Sequence, residues 1–365
     1  MADAIWIDRG EALGPLASVL EAQVSIGLDT EFLRERTFFP KLCLVQLAAA
    51  GEVWCVDTLR VGSLDPLVRA LTAPGARKVI HAARQDLEAF YLNVKRVISP
   101  VFDTQIAAGC VGLKPQLGYA DLVKTLLDVP LAKGQTRTDW SKRPLTAAQL
   151  EYAADDVKYL NEVASKLTER LRALGREHWV IEDCLSLEDP RLYELDPAQA
   201  WKRLRNLNLL PAAARARGRS IAIWRETMAR ERDLPRGWIL ADAAIFSVAE
   251  AGPSTRAALD AALALPRPLN DALAQSLLAA LREGSGATGE DSEPVRDSRP
   301  TPEQKAVIDR LARLVDARAQ DLGVSAEILA PRGEVKALAM GARNTQALSG
   351  WRRAEIGDRL LAALD

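Results

Sequence analysis

The chain is short of the residues that most often move protons or grip soft metals. It has two histidines, His81 and His178, set far apart. Histidine-based acid–base chemistry therefore has little to work with, and a zinc site built on histidine is excluded in practice. Its four cysteines, Cys43, Cys55, Cys110 and Cys184, form no Cys-x-x-Cys pair. Such scattered thiols fit buried side chains in a reducing compartment better than a disulfide framework. No run of eighteen apolar residues occurs, so no membrane-spanning helix is expected. The opening MADAIWIDRGEALG lacks a basic stretch followed by an apolar one. No secretion signal and a cytoplasmic location are expected. If this is an enzyme, carboxylates, a metal or tyrosine must do the work.

What is present is an ordinary globular composition. The chain has 365 residues, 48% hydrophobic and 27% charged, with a net charge of −1. At roughly 100–200 residues per domain, two or three domains are expected. Residues 1–190 alternate short apolar runs with amphipathic ones. Ser25–Phe32, Leu42–Ala48, Val53–Asp57 and the stretch ending at His81 read as strands. Segments near 63–73, 84–92, 103–110, 118–128 and 145–173 have helical spacing. Early, closely spaced strands followed by helices predict an α/β domain with a mixed sheet.

After about residue 200 the strand pattern stops. Residues 205–283 read as a small helical domain. Residues 200–240 hold ten Lys/Arg (202, 203, 205, 215, 217, 219, 225, 230, 232 and 236) against three acids. Such a local excess suggests nucleic-acid contact, although a solvated helix face reads the same way. Residues 284–300 are Gly-, Ser- and acid-rich and read as a flexible linker; it would let the last unit move, unless that unit packs on the first domain. Residues 301–365 read as a second helical domain, opened by Thr301, Pro302 and Gln304 as a capping box. A weak repeat joins the two: Asp233-Leu234 then Ile239-Leu240-Ala241, against Asp321-Leu322 then Ile328-Leu329-Ala330.

Three segments carry candidate chemistry. Asp29-Thr30-Glu31 ends an apolar strand, and alternation puts Asp29 and Glu31 on one face. Two such carboxylates repel unless a hard divalent cation, Mg²⁺ or Mn²⁺, lies between them. A solvated strand end is the plainer reading. Tyr152 and Asp156 stand four apart on a helix and share a face, while Asp155 lies about 100° round it. Thr146 and Gln149 would cap that helix. Tyr152 read alone fits a half-buried core aromatic equally well. Asp86 falls in the first turn of a helix, where an acid is favourable in any case. Together the four carboxylates and the tyrosine are the inventory of a two-metal phosphoryl-transfer site, which needs no histidine.

The order Asp-x-Glu, Asp, Tyr-x-x-x-Asp resembles the DEDD exonuclease superfamily, in its tyrosine branch. LDTEFLRERTFFPKLCLVQLA, HAARQDLEAF, GYADLVKTLLDV and TDWSKRPLTAAQLEYAADDVKYL resemble the ribonuclease D family over roughly residues 20–175. The helical units resemble HRDC domains, with the second unit degenerate. The resemblance implies a ribonuclease H-like fold and a 3′→5′ exoribonuclease using two divalent ions, Mg²⁺ or Mn²⁺. It would trim structured RNAs such as tRNA precursors and release nucleoside 5′-monophosphates. No membrane and no obligate protein partner are implied.

The resemblance also implies roles. Asp29 would bridge both ions. Glu31 and Asp156 would hold the ion beside the water, and Asp86 would serve the second through water molecules. Tyr152 would orient the attacking water or help deprotonate it. Glu151 stands where the histidine branch has its histidine, and His81 receives no catalytic role. Phe32, Phe38 and Phe39 are candidates for stacking on terminal bases, and Lys133, Arg137, Lys142 and Arg143 for phosphate. Trp201, Trp224, Trp238 and Trp351 are either stacking residues or core, with at least two expected in core. Rival readings are a DNA-directed 3′→5′ exonuclease and a catalytically silent RNA-binding protein. The second would be expected to lack one of the five site residues, and all are present.

Overall fold

The structure is a computed structural model. It describes residues 4–132, 138–194, 196–266, 268–286 and 300–364. The chain divides into two compact units. The first comprises Met1–Leu33, Lys41–Tyr193 and Arg299–Asp365; the second comprises Arg34–Pro40 and Glu194–Ser298.

The first unit is built on a six-stranded mixed sheet. Its strands are β1 (Ile5–Ile7), β2 (Ser25–Leu33), β3 (Lys41–Ala49), β4 (Glu52–Val56), β5 (Arg77–Ile80) and β6 (Val101–Asp103), in the order β1-β4-β3-β2-β5-β6. β2 and β3 pair antiparallel, β3 and β4 likewise, and β5 runs parallel to β2 and to β6. β3 is buried from Leu42 to Ala49, as its nearly unbroken apolar run requires of a central strand. The helices of this domain are α1 (Leu13–Glu21), α2 (Asp65–Thr72), α3 (Arg84–Val94), α4 (Thr104–Cys110), α5 (Tyr119–Leu127), α6 (Ala147–Lys158), α7 (Leu160–Leu174) and α8 (Glu177–Leu187).

The expected 145–173 helix is two helices. α6 ends and α7 begins at Tyr159, whose N–H donates to the Tyr119 hydroxyl at 3.2 Å. β1, β6, α1 and α8 carried no clear signal in the sequence. Three residues are too few to show alternation.

The second unit contains α9 (Ala212–Glu231), α10 (Arg236–Ile239), α11 (Asp242–Ala251), α12 (Arg256–Leu263) and α13 (Asp271–Gly286). Its core gathers Phe38, Leu207, Ile221, Trp224, Ile245 and Leu277 among others. Glu226 is buried there, yet Arg236 and Arg203 bond it at 2.5–3.0 Å and hold its carboxyl below the usual range.

Helices α14 (Pro302–Leu322), α15 (Ala326–Leu329) and α16 (Arg332–Ala339) follow. Long helix, four-residue helix, helix is also the order of α9, α10 and α11, which matches the repeat read in the sequence. These residues were expected as a helical domain of their own, either free to move on a linker or packed on the nuclease domain. They share the core of the first unit, which is the second of those readings and leaves no separate domain. Trp351 stacks on Trp179 with ring centroids 3.9 Å apart, and Arg352 forks onto Asp183 at 2.5 and 2.8 Å. Arg176 donates to the Cys110 and Leu322 carbonyls. A Cβ on Gly112 would lie 2.3 Å from the Gly323 carbonyl oxygen, so only glycine allows this approach. Of the expected linker, residues 287–299 lie outside the described residues.

Candidate active site

The site begins where β2 runs on past the end of β5. Their pairing stops at Gly27–Val79, and Asp29 and Glu31 follow on the same face. A register shift falls between Glu31 and Phe32, so the strand bends immediately after the second acid. Gly27 is on this face too. A Cβ there would meet the Val157 carbonyl oxygen at 3.1 Å and Leu160 Cβ at 3.2 Å. The missing side chain lets the α6–α7 junction come close to β2, one residue after Asp156.

The start of α6 is fixed by the expected capping box. Gln149 N–H donates to Thr146 Oγ1 at 3.2 Å, and Thr146 N–H donates to Gln149 Oε1 at 2.9 Å. That phase turns Asp156 toward the strand. Carboxylate oxygens of Asp29, Glu31 and Asp156 lie within 4.8 Å of one another. Asp155 is not in this group; its surroundings include Lys158 and Glu151. Asp86 stands beside it on α3, where it accepts from Thr30 N–H at 3.2 Å and from Thr30 Oγ1 at 2.6 Å. Thr30, between the two strand acids, thus ties α3 to β2.

The electrostatics are those of crowded acids. Burial, then the charges of Asp86, Asp156 and Glu31, push Asp29 well above the usual carboxylate range. Burial and the same neighbours push Glu31 up to about 9. Burial raises Asp156 to about 7 against the opposing hydrogen bond from the Tyr152 hydroxyl, and raises Asp86 to about 6. Every candidate donor is a carboxylate oxygen, which suits a hard cation such as Mg²⁺ or Mn²⁺. A cation would also relieve the mutual repulsion, so the residues present fit one.

These shifts predict the pH dependence of the metal-free protein. The folded acids bind protons that the unfolded chain has lost above about pH 4. Folded protein therefore holds more protons across roughly pH 4–9, and its stability falls as pH rises through that window. Below about pH 4 both states are protonated and the penalty vanishes. Melting temperatures in EDTA should fall with rising pH, and added Mg²⁺ should restore more at pH 8 than at pH 5. Equal Mg²⁺ effects at both pH values would contradict the acid cluster as the cause.

Tyr152 is held from behind. Trp140, nearly fully buried, packs on it with ring centroids 6.2 Å apart. The Trp140 loop is clamped by Arg143, which bonds Asp57 at 2.6 and 2.7 Å and donates to the Trp140 and Cys43 carbonyls. Arg143 was expected to contact phosphate. It is committed to this clamp instead, because its donors face the buried Asp57 and backbone oxygens. Phe38 was expected to stack on bases; it is 2% exposed in the core of the second unit, with Phe39 edge-on to it at 4.9 Å. Phe32 is half-buried and Lys142 exposed. Lys133 and Arg137 lie outside the described residues.

His81 has both ring nitrogens engaged, Nε2 with the Leu117 carbonyl at 3.0 Å and Nδ1 with Thr104 Oγ1 at 2.9 Å. Trp224 and Trp351 are core, whereas Trp238 is 63% exposed. Sequence reasoning missed Asp103. This buried acid accepts from Ala82, Ala83, Gln105 and Ile106 N–H, joining the start of α4 to the turn that launches α3 and Asp86. An aspartate between a strand and a helix was the available capping signal.

The family described as 3′-5′ exonuclease matches residues 4–172, and the HRDC domain family matches residues 215–281. A ribonuclease D of Granulibacter bethesdensis is 36% identical over 98% of this chain and 91% of its own. One of Jannaschia sp. is 37% identical over 94% and 90%. The crystal structure of Escherichia coli RNase D, described as an exoribonuclease involved in structured RNA processing, superposes with a TM-score of 0.89 at 30% identity. That match covers 100% of this chain and 99% of the other. With its acidic cluster, mixed sheet and HRDC domain, the chain belongs to the ribonuclease D family of metal-dependent 3′→5′ exoribonucleases.

Proposed function

We propose that this chain trims the 3′ ends of structured RNAs, tRNA precursors among them, by two-metal-ion phosphodiester hydrolysis, and releases nucleoside 5′-monophosphates. The observation that carries this reading is the convergence of Asp29, Glu31 and Asp156 within 4.8 Å, with Tyr152 donating to Asp156. Asp29 would be shared between two divalent ions. Glu31 and Asp156 would complete one of them, and Asp86 would serve the other through water. When bound, such a pair activates a water and stabilises the leaving oxygen of an in-line displacement. Burial and the facing carboxylates push the Tyr152 phenol up, so it keeps its proton and orients the attacking water. Asp86, tied to Thr30, and Asp156, placed by the α6 cap, keep the donors converged before substrate arrives.

Backbone contacts suffice for an enzyme that reads ends. Phe32, half-buried and just beyond the register shift after Glu31, is the residue we assign to stacking on a terminal base. In the second unit the arginine excess is largely spent internally: Arg203 and Arg236 on Glu226, Arg225 on Asp242 and the Leu240 carbonyl, Arg217 on the Ala249 carbonyl. Lys202, Arg205 and Arg232 are exposed, as is Trp238. These are the groups we assign to phosphate and base stacking. A cytoplasmic location is supported by four buried free cysteines.

The test uses a 3′-tailed RNA hairpin labelled at its 5′ end, with Mg²⁺, Mn²⁺ or EDTA, beside a matched DNA. A metal-dependent ladder shortening from the 3′ end, faster on RNA, is the expected result. Faster shortening of DNA would favour a DNA-directed exonuclease, and binding without cleavage a silent RNA-binding protein. Asp155→Asn should change the rate less than about threefold, since Asp155 stands outside the cluster. Asp156→Asn should cost at least about a hundredfold, the scale of one lost ligand contact of about 3 kcal/mol. The reverse order would move the site to the other aspartate.

A further inference from the structure

Gln46 lies in the middle of β3 and is completely buried, yet neither its amide nitrogen nor its amide oxygen has a hydrogen-bond partner. A primary amide offers two donors and an acceptor. Leaving such groups buried and unpaired is destabilising. The neighbours of Gln46 along the strand are Val45 and Leu47, both fully buried. Packing alone would be met by leucine. Such a costly polar group in a strand that could be wholly apolar points to a use outside the metal-free fold.

Its place in the sheet names that use. Gln46 is the direct antiparallel partner of Asp29. Directly opposed residues project from the same face, with Cβ atoms about 4.5–5.5 Å apart. Two residues back along β2, Gly27 pairs with Ala48. A Cβ on Gly27 would meet both Ala48 Cβ and Leu160 Cβ at 3.2 Å. That fixes the face as the one covered by α6 and α7. Stepping two residues along each strand keeps it, so the Gln46 and Asp29 side chains both project from the face covered by α6 and α7.

We propose that Gln46 is a positioning residue of the metal centre: its amide nitrogen donates to the Asp29 carboxylate when Asp29 grips a divalent cation. An ionised carboxylate has about four acceptor sites. A cation shared by other ligands leaves some of them open. Ligating carboxylates are themselves commonly held by an outer hydrogen bond, and loss of that bond lowers metal affinity or activity by about 10–100-fold. Gln46 is the unpartnered donor nearest in register to the residue that the two-metal reading makes the shared ligand. The inference rests on that reading of the acidic cluster.

The test is calorimetric titration of Mn²⁺ into the full chain without RNA, for the native sequence and for Gln46→Leu and Gln46→Met. Melting temperatures in EDTA are measured alongside. Both substitutions are expected to weaken Mn²⁺ by about 10–100-fold while leaving the metal-free melting temperature unchanged or raised, because unpaired polar atoms are removed. Mn²⁺ affinity within twofold of native in both variants overturns the proposal. So does a lowered metal-free melting temperature, or failure of both variants to fold, since either makes the amide part of the metal-free structure. A native chain that binds no Mn²⁺ overturns the metal-site reading itself, and with it this inference.

Discussion

Asp29→Asn is expected to abolish turnover and to leave a folded, more heat-resistant protein. Asn keeps the size of Asp29 and its place on β2, opposite Gln46. It removes a carboxyl that burial and then Asp86, Asp156 and Glu31 all push upward, and that Tyr152 feels in turn. If Asp29 is the shared ligand we propose, its loss should lower kcat by at least about a thousandfold, which is about 4 kcal/mol of transition-state stabilisation. The same change removes a buried carboxyl whose ionisation the metal-free fold penalises, first by burial and then by the facing acids. Its melting temperature in EDTA at pH 8 should therefore exceed that of the native chain. Near-native activity would remove Asp29 from the reaction. Lost activity with a collapsed melting transition would make its role structural.

Tyr152→Phe should separate chemistry from metal binding. Phenylalanine keeps the ring that packs on Trp140, so the loop clamped by Arg143 and Asp57 has no reason to move. What goes is the hydroxyl that donates to Asp156 and that we propose orients the attacking water. A positioned proton-transfer or water-orienting group is typically worth about 10²–10⁴ in rate. Mn²⁺ affinity at pH 8 should stay within a few-fold of native. The hydroxyl's bond lowers Asp156, so without it Asp156 titrates higher. An unchanged rate, or a loss of Mn²⁺ binding equal to the loss in rate, would end the water-orienting role.

The site was legible because its residues obey short-range rules. Strand alternation put Asp29 beside Glu31, and helix periodicity put Tyr152 beside Asp156 and left Asp155 outside. The Thr146–Gln149 box set the phase of α6 before any fold was known. Family resemblance then joined three segments that no local rule connects. What stayed hidden depends on long-range packing. Gly27 looks like any strand glycine until the α6–α7 junction is laid against it. Arg143 reads as a basic loop residue and serves as a buried clamp, because Asp57 lies 86 positions away. The arginines of residues 200–240 read as a cationic surface, and several prove to be internal struts. Charge counts sum residues without regard to partners. Gln46 was visible all along as the lone amide in LCLVQLA, but its meaning needed the register with Asp29.

The return of residues 300–364 to the nuclease core makes the first unit a discontinuous fold, assembled from pieces of chain that translation separates by more than a hundred residues. Trp179 and the Gly109–Gly112 turn wait for Trp351, Ile328 and Gly323 to cover them. Covalent continuity through residues 287–299 is then not what keeps the last helices in place. A protease cut there should yield two bands on a denaturing gel and one undivided particle in native size exclusion. A chain stopped short at residue 286 should instead expose the Trp179 face and aggregate. The last helices therefore behave as a subunit that happens to be encoded on the same chain.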